Sequence, residues 1–352
     1  MKVTRRRFLG GALALGGGAA AAGVFLGDPA PPPFRSPVVD FHVHLFGMGD
    51  CGSGCYISAK QKKHVNYRFF LELLDLEENG RMDEDYVDRL VAHVRGSSIS
   101  KALLYAQDCR YDDAGRPDLE ASSCHVPNEY LFRVVKRHPD LFIPCASINP
   151  RRADALDELE RCAEAGARAV KIHPPTQAVD PGEARFRPFY RKAAERRIIV
   201  VVHTGTEHAA EITGHEHCDP ARLEAALEEG CTVVAAHSGM ANSFDREDFF
   251  PTLVGMVRRH PNLYCETANL ASMLRWRNVP RVLSEPEVVA RLIHASDFPF
   301  PSSALVFWNR LRPRSLFSLL SEKNLIERDL RLKRALGVPA EVFERGGRLL
   351  GI

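Results

Sequence analysis

Two histidines one residue apart, in Asp40-Phe41-His42-Val43-His44, carry the strongest chemical signal in the chain. They follow the apolar run Pro37-Val38-Val39, which reads as a strand. Side chains alternate along a strand, so His42 and His44 share a face. Two imidazoles on one face at a strand end can grip a divalent metal ion from one side. His-x-His also occurs in buried strands without a ligand, so the pair gains weight from its company. Other apolar runs end in the same kind of residue: Ala169–His173 carries Lys171 and His173, Val201-Val202-His203 ends in His203, and Ala235-Ala236-His237 ends in His237. A further run carries Glu266, and Asp297 follows His294-Ala295-Ser296. One strand-end histidine is more often a hydrogen-bonded structural residue, but this series is hard to reach by chance. Three His and one Asp suit Zn²⁺, with Mn²⁺ or Fe²⁺ as alternatives. Such an ion lowers the pKa of bound water to roughly 7. A nearby Asp can take the proton that the water gives up.

The elements that must present these groups alternate regularly. Apolar runs predict strands at Val38–His42, Lys101–Ala106, Phe142–Ile148, Ala169–His173, Ile198–His203, Thr232–His237, Leu263–Thr267 and Leu292–Ser296. Amphipathic stretches between them predict helices, among them Asn128–Arg137, Ala153–Ala165, Phe186–Arg196, Pro220–Glu229 and Glu285–Ala290. Short continuous apolar strands separated by helices indicate a parallel sheet covered on both faces. Eight such units in this length fit an α/β fold of the (β/α)8 TIM-barrel type, whose active site lies at the C-terminal ends of the strands. The rival, an open doubly wound sheet, is weakened because no Gly-rich phosphate turn follows the first strand. The stretch 45–100 is too long for an ordinary loop and is expected to sit over the barrel mouth as a lid, with a helix at Glu84–Arg95. The segments 107–127 and 206–218 form further long loops; the latter, holding Glu207, His208, Glu211, His215, Glu216 and His217, reads first as a solvated polar loop, with substrate contact or an adventitious second metal as the alternative. Residues 302–352 read as helices closing the barrel, and Trp276 and Trp308 as packing residues.

Composition excludes little. The chain has 352 residues and a formal net charge of +2, which gives no argument for a nucleic-acid partner. Nine cysteines without a Cys-x-x-Cys pair read as reduced, buried thiols, with one local disulfide, Cys51–Cys55, open to a protein outside the cytosol.

The first 30 residues read as an address, not as fold. Thr4-Arg5-Arg6-Arg7-Phe8-Leu9-Gly10 precedes a Gly- and Ala-rich apolar stretch and resembles a twin-arginine export signal. The resemblance implies the twin-arginine export machinery as a partner and a periplasmic or other extracytoplasmic location. Cleavage near Ala20-Ala21-Ala22 and retention as a membrane tether both stay open. Residues 31–36 read as a stiff spacer and 37–352 as the barrel.

The set Asp40–His44, Val170–Pro174, Val202–Gly205, Ala236–Gly239 and Ser296–Pro299 resembles the amidohydrolase superfamily. Within it, the likeness is to the amidohydrolase-related branch that includes aminocarboxymuconate-semialdehyde decarboxylase. The resemblance implies one divalent metal, Zn²⁺ first, held by His42, His44, His203 and Asp297. It implies catalytic work for Asp297 and His237. Other branches carboxylate a lysine at the position of Lys171 to bridge two metals; here Lys171 is expected to be a structural or substrate-orienting cation near the mouth. His173 is expected beside the ligands rather than among them. Glu266 is either an acid facing the pocket or a salt-bridge partner. The expected activity is metal-dependent hydrolysis of an amide, lactone, ester or ring C–N bond in a small molecule. The alternative is nonoxidative decarboxylation of a small aromatic or unsaturated acid. A barrel that binds without turnover is the non-enzymatic rival, and a homo-oligomer stays open.

Overall fold

The computed structural model describes residues 32–208, 210 and 214–352. The export-type segment at 1–30, with its cleavage and tether alternatives, lies outside the described residues. Among the described residues no helix is long and apolar enough to cross a membrane.

Eight parallel strands form one sheet in chain order: β1 Val39–His44, β2 Lys101–Tyr105, β3 Phe142–Ser147, β4 Ala169–Ile172, β5 Ile199–His203, β6 Val233–Ala236, β7 Leu263–Glu266 and β8 Leu292–Ile293. The chain beyond β8 returns to β1. Phe41 N donates to His294 O at 3.0 Å, Asp297 N to His42 O at 3.0 Å and His44 N to Phe298 O at 3.0 Å, which closes the (β/α)8 barrel. Val39, Phe41, Leu103, Ile143, Ile199 and Val201 fill the interior. Val43, Leu104, Val170, Val200 and Val202 face outward onto the helices. This division is the period-2 alternation expected of strands buried on both faces.

β1 breaks the alternation once. Asp40 pairs with Ala102 but Val43 pairs with Leu104, so two residues of β1 oppose one of β2. Such a bulge re-aims side chains. Here it lets His42 turn toward the site although its neighbour Phe41 points into the barrel.

The expected helices form close to their sequence bounds, at Asn128–Arg137, Ala155–Glu164 and Arg187–Glu195. The Pro220–Glu229 stretch starts as a 3-10 turn, Pro220–Leu223, capped by Asp219, before Glu224–Glu228 becomes α-helical. The final helix, Ala340–Leu350, plugs the end of the barrel opposite the site. Gly346 permits this, because a Cβ there would press on Ile293, Phe41 and the Val39 carbonyl at 3.2 Å each. The described part of the spacer is tied down on the same helix, with the Phe34 ring packed at a tilt on Phe343, 5.4 Å between centroids.

The lid is smaller than expected. Only its first part, with the helix Val65–Leu74, reaches the pocket. Met82–Arg95 buries Tyr86, Val87, Leu90 and Val94 against the outside of the barrel, as a standard barrel helix does. Asp83 at its start anchors the lid loop, accepting from Met48 N at 2.6 Å, from Gly49 N at 3.1 Å and from the Ser53 hydroxyl. The Cys51–Cys55 disulfide is not formed. Cys51 Sγ faces the Gly80 carbonyl, while Cys55 is buried against Gly47 and Asp83, and burial pushes its thiol up to about 12. Trp276 packs against Phe307, whereas Trp308 is 67% exposed, contrary to its reading as a packing residue.

Gly205 fixes the turn after β5. Its φ is +87°, and a Cβ there would lie 2.3 Å from the Met240 carbonyl oxygen in the loop after β6. Replacing Gly205 by Ala is expected to cost about 1–3 kcal/mol, read as a lower urea midpoint with an unchanged slope.

Candidate active site

The strand ends bring a compact group of ionisable side chains to one end of the barrel. His42 Nε2 lies 3.2 Å from His44 Nε2 and 3.5 Å from Asp297 Oδ1, and His44 Nε2 lies 3.2 Å from the same oxygen. Two ligand atoms bound to one tetrahedral zinc at ~2.0–2.1 Å would sit ~3.3 Å apart. These separations therefore match a shared cation. On the far side of His42, Nδ1 meets Glu266 Oε1 at 2.8 Å, and the same oxygen accepts from His237 N at 3.0 Å. Glu266 Oε1, already an acceptor from the His237 amide, also accepts from His42 Nδ1, which leaves the Nε2 lone pair toward His44 and Asp297.

His203 stands one position further around the ring, 4.6 Å from His237 and 4.3 Å from His173 between ring centroids. It is fully buried and neither ring nitrogen has a hydrogen-bond partner. A neutral imidazole buried without partners loses its hydration with no return, so the site is built for a group that supplies one. Glu207 Oε2 is its nearest carboxylate oxygen, 3.8 Å from His203 Nε2 and 3.7 Å from His173 Nε2. The two clusters, His42–His44–Asp297 and His173–His203–Glu207, are both of metal-ligating type.

His42, His203 and His237 are each held well below the ordinary histidine range, in each case first by burial. The second cause is Lys171 for His42, His173 for His203 and Arg275 for His237. All three are thus neutral at neutral pH, the state a metal ligand needs. Burial pushes Glu266 up to about 8, against the opposing pull of Lys171. His237 and Asp297 both take left-handed backbone conformations just past their strands, at φ 61° and 68°. Backbone of this kind is held only where its surroundings enforce it.

Three expectations need correction or sharpening. Lys171 is not at the mouth. It is 1% exposed, its ammonium lies over the Tyr105 ring at 5.1 Å, and Nζ has no hydrogen-bond partner. It faces inward two residues before His173, and so sits one layer deeper. Glu266 is likewise below the pocket, as the partner of His42. Glu207, read as part of a solvated loop, is instead drawn inward, with a side chain 12% exposed. Its signal was position: it lies in the loop just past the strand end at His203, where barrel enzymes place reactive groups. His173 lines the pocket, with Nδ1 held by the Thr176 hydroxyl at 2.8 Å.

Above this ring opens a cavity of about 540 Å³. Phe46, Phe69, Phe70, Phe300 and Met273 give it apolar walls, and His44, His237, Glu207 and Asp297 reach it from below.

Comparison with known proteins agrees with the architecture. No curated protein matches the chain. Among solved structures, a TIM-barrel protein from Bordetella bronchiseptica aligns with a TM-score of 0.54 at 18% identity, over 86% of this chain and 99% of that one. A putative 2-pyrone-4,6-dicarboxylic acid hydrolase from Pseudomonas putida aligns with a TM-score of 0.54 at 16% identity, over 90% and 98%. A 5-carboxyvanillate decarboxylase from Sphingomonas paucimobilis gives 0.54 at 12% identity, over 90% and 99%. At such identities these likenesses speak for the fold. The amidohydrolase family profile matches residues 39–308, most of the barrel and every strand-end group described above. A closed (β/α)8 barrel, groups of residues of metal-ligating type at its C-terminal mouth and this match together make the protein an enzyme of the amidohydrolase family.

Proposed function

We propose that the enzyme is a metal-dependent hydrolase that uses metal-activated water on an amide, lactone, ester or ring C–N bond of a small molecule. The supporting observation is the 3.2–3.5 Å triangle of His42 Nε2, His44 Nε2 and Asp297 Oδ1. His203, with two unpartnered nitrogens, is the fourth ligand in this reading. Three imidazoles and one carboxylate favour Zn²⁺. A divalent ion held there supplies Lewis-acid charge and lowers the pKa of water.

The chain's own residues do the rest. Glu266 holds His42 by its Nδ1 and so fixes the ring that faces Asp297. The Asp297 carboxylate, whose Oδ2 is the oxygen outside that triangle, is placed to accept a proton from the attacking water and return it to the leaving group. His237 lines the pocket with its Nδ1 toward the Ala268 carbonyl at 3.3 Å, and 4.0 Å from Asp297 Oδ2. It is the group nearest to orient the water or polarise the substrate carbonyl. The apolar walls exclude bulk water and strengthen each of these interactions.

Stripping the metal with a chelator is expected to abolish turnover on a panel of lactones and amides, and adding back Zn²⁺ to restore it. Undiminished turnover in stripped protein, verified metal-free by elemental analysis, sinks the reading. Release of CO₂ instead of uptake of water would replace hydrolysis by decarboxylation at the same site.

A further inference from the structure

Asp297 follows a strand of only two residues, Leu292–Ile293, and takes a left-handed conformation at φ 68°. Such backbone persists only where its surroundings enforce it. The enforcement is visible group by group. Asp297 N donates to the His42 carbonyl at 3.0 Å, and Phe298 N donates to Ser296 Oγ at 3.0 Å. One residue earlier, a single peptide group is gripped at both ends. The Ala295 oxygen accepts from Lys333 Nζ at 2.6 Å, while the N–H of Ser296 donates to Asp40 Oδ1 at 2.8 Å. That Asp40 oxygen also accepts from His42 N at 3.3 Å. A peptide group is planar, so holding its oxygen and its N–H fixes its orientation and the direction in which the chain enters Asp297.

Lys333 is the distant member of this set. It stands on the helix Leu325–Ala335, and its side chain is 1% exposed. Its ammonium also donates to Asp329 Oδ2 at 2.5 Å, one helical turn back. Burial pushes Asp40 up to about 6 and Asp329 up to about 7, against the pull of Lys333 on both. Taking such a cation out of water is unfavourable, and an apolar side chain would pack the helix at least as well. What an apolar side chain lacks is a charged donor for the Ala295 oxygen, and hydrogen bonds to charged groups are the strong ones.

We propose that Lys333 is a positioning residue for Asp297. With Asp40 it locks the Ala295–Ser296 peptide group and so aims the Asp297 carboxylate at His42 and His44. The lock acts through the backbone, from outside the cavity. It rests on the reading of Asp297 as a metal ligand and proton acceptor.

The test follows amide hydrogen exchange residue by residue in metal-stripped protein. In the wild type, the Ser296 and Asp297 amides are expected to exchange as slowly as those of β5. The double variant Asp329→Leu/Lys333→Met removes both charges together, so no lone Asp329 is left buried. Its Ser296 and Asp297 amides are expected to exchange about 10–100-fold faster, as losing one hydrogen bond to a charged group implies, while β5 keeps its rates. Zn²⁺ affinity is expected to fall about 10–100-fold, the range for losing a group that supports a ligand. Lys333→Gln, which leaves Asp329 a donor, takes the same measurements if the double variant does not fold. Unchanged exchange at Ser296 and Asp297 in a folded variant overturns the proposal, and so does an equal rise throughout β5, which marks a general loss of stability. Faster exchange with unchanged Zn²⁺ affinity overturns the link to Asp297. Wild-type protein that binds no Zn²⁺ sinks the metal reading instead, and exchange in stripped protein still decides the lock.

Discussion

Asp297→Asn is expected to lower kcat by about 10²–10⁴-fold, the range for losing a positioned general base. The exchange preserves shape. It also preserves the backbone, because Asn tolerates the left-handed conformation that Asp297 adopts at φ 68°. The amide can still approach His44, now 3.2 Å from Oδ1, but it cannot accept the water's proton. The melting temperature of metal-free protein should therefore move little while turnover collapses. Steady-state kinetics at saturating Zn²⁺, with bound metal measured on the same sample, separate loss of the ion from loss of the base. Full metal occupancy with unchanged kcat would falsify the proton-transfer role.

His203→Leu is expected to act in opposite directions on the two forms of the protein. Both ring nitrogens of His203 are buried and unpartnered. Replacing it with an apolar side chain of similar volume removes a desolvation penalty of about 1–3 kcal/mol. Metal-stripped His203→Leu should therefore melt no lower than stripped wild type, and higher if the site repacks well. The loaded form should behave otherwise. Removing an outer partner of a metal ligand costs about 10–100-fold in affinity, and removing a ligand should exceed that. Titration of stripped protein with Zn²⁺ measures the loss. The comparison with Glu207→Gln decides how the two clusters relate. If Glu207→Gln weakens the ion as much as His203→Leu does, the ion sits nearer His173 and Glu207 than the triangle of His42, His44 and Asp297 implies.

Much of this site could be read from local pattern. Each strand is a short apolar run, and the runs of β1, β4, β5 and β6 end at or beside a residue that matters, because a parallel strand buried on both faces must be apolar until it emerges at the mouth. The positions of His42, His44, His173, His203, His237 and Asp297 at strand ends follow from that rule alone. So does the count of eight units that makes a barrel. Period-2 alternation also predicted the common face of His42 and His44, and it holds between those two.

What tertiary structure decided depends on contacts between residues far apart in the chain. Strict alternation along β1 would send His42 outward if Phe41 points in; the bulge against β2 reconciles the two, and only the pairing of strands shows it. Lys171 and Glu266 lie below the mouth because their depth is set by register between neighbouring strands, which a single strand does not carry. Glu207 was legible as a polar loop residue but not as a partner of His173 and His203, since Gly205 folds that loop inward against the chain after β6. Arg275 comes from the loop after β7 and meets Thr206 and Asn242 from the loops after β5 and β6. Strand periodicity is a local property and is written in the order of residues. The facing of a loop side chain is set by what packs against it, and three different loops had to fold before Arg275 met both of its acceptors.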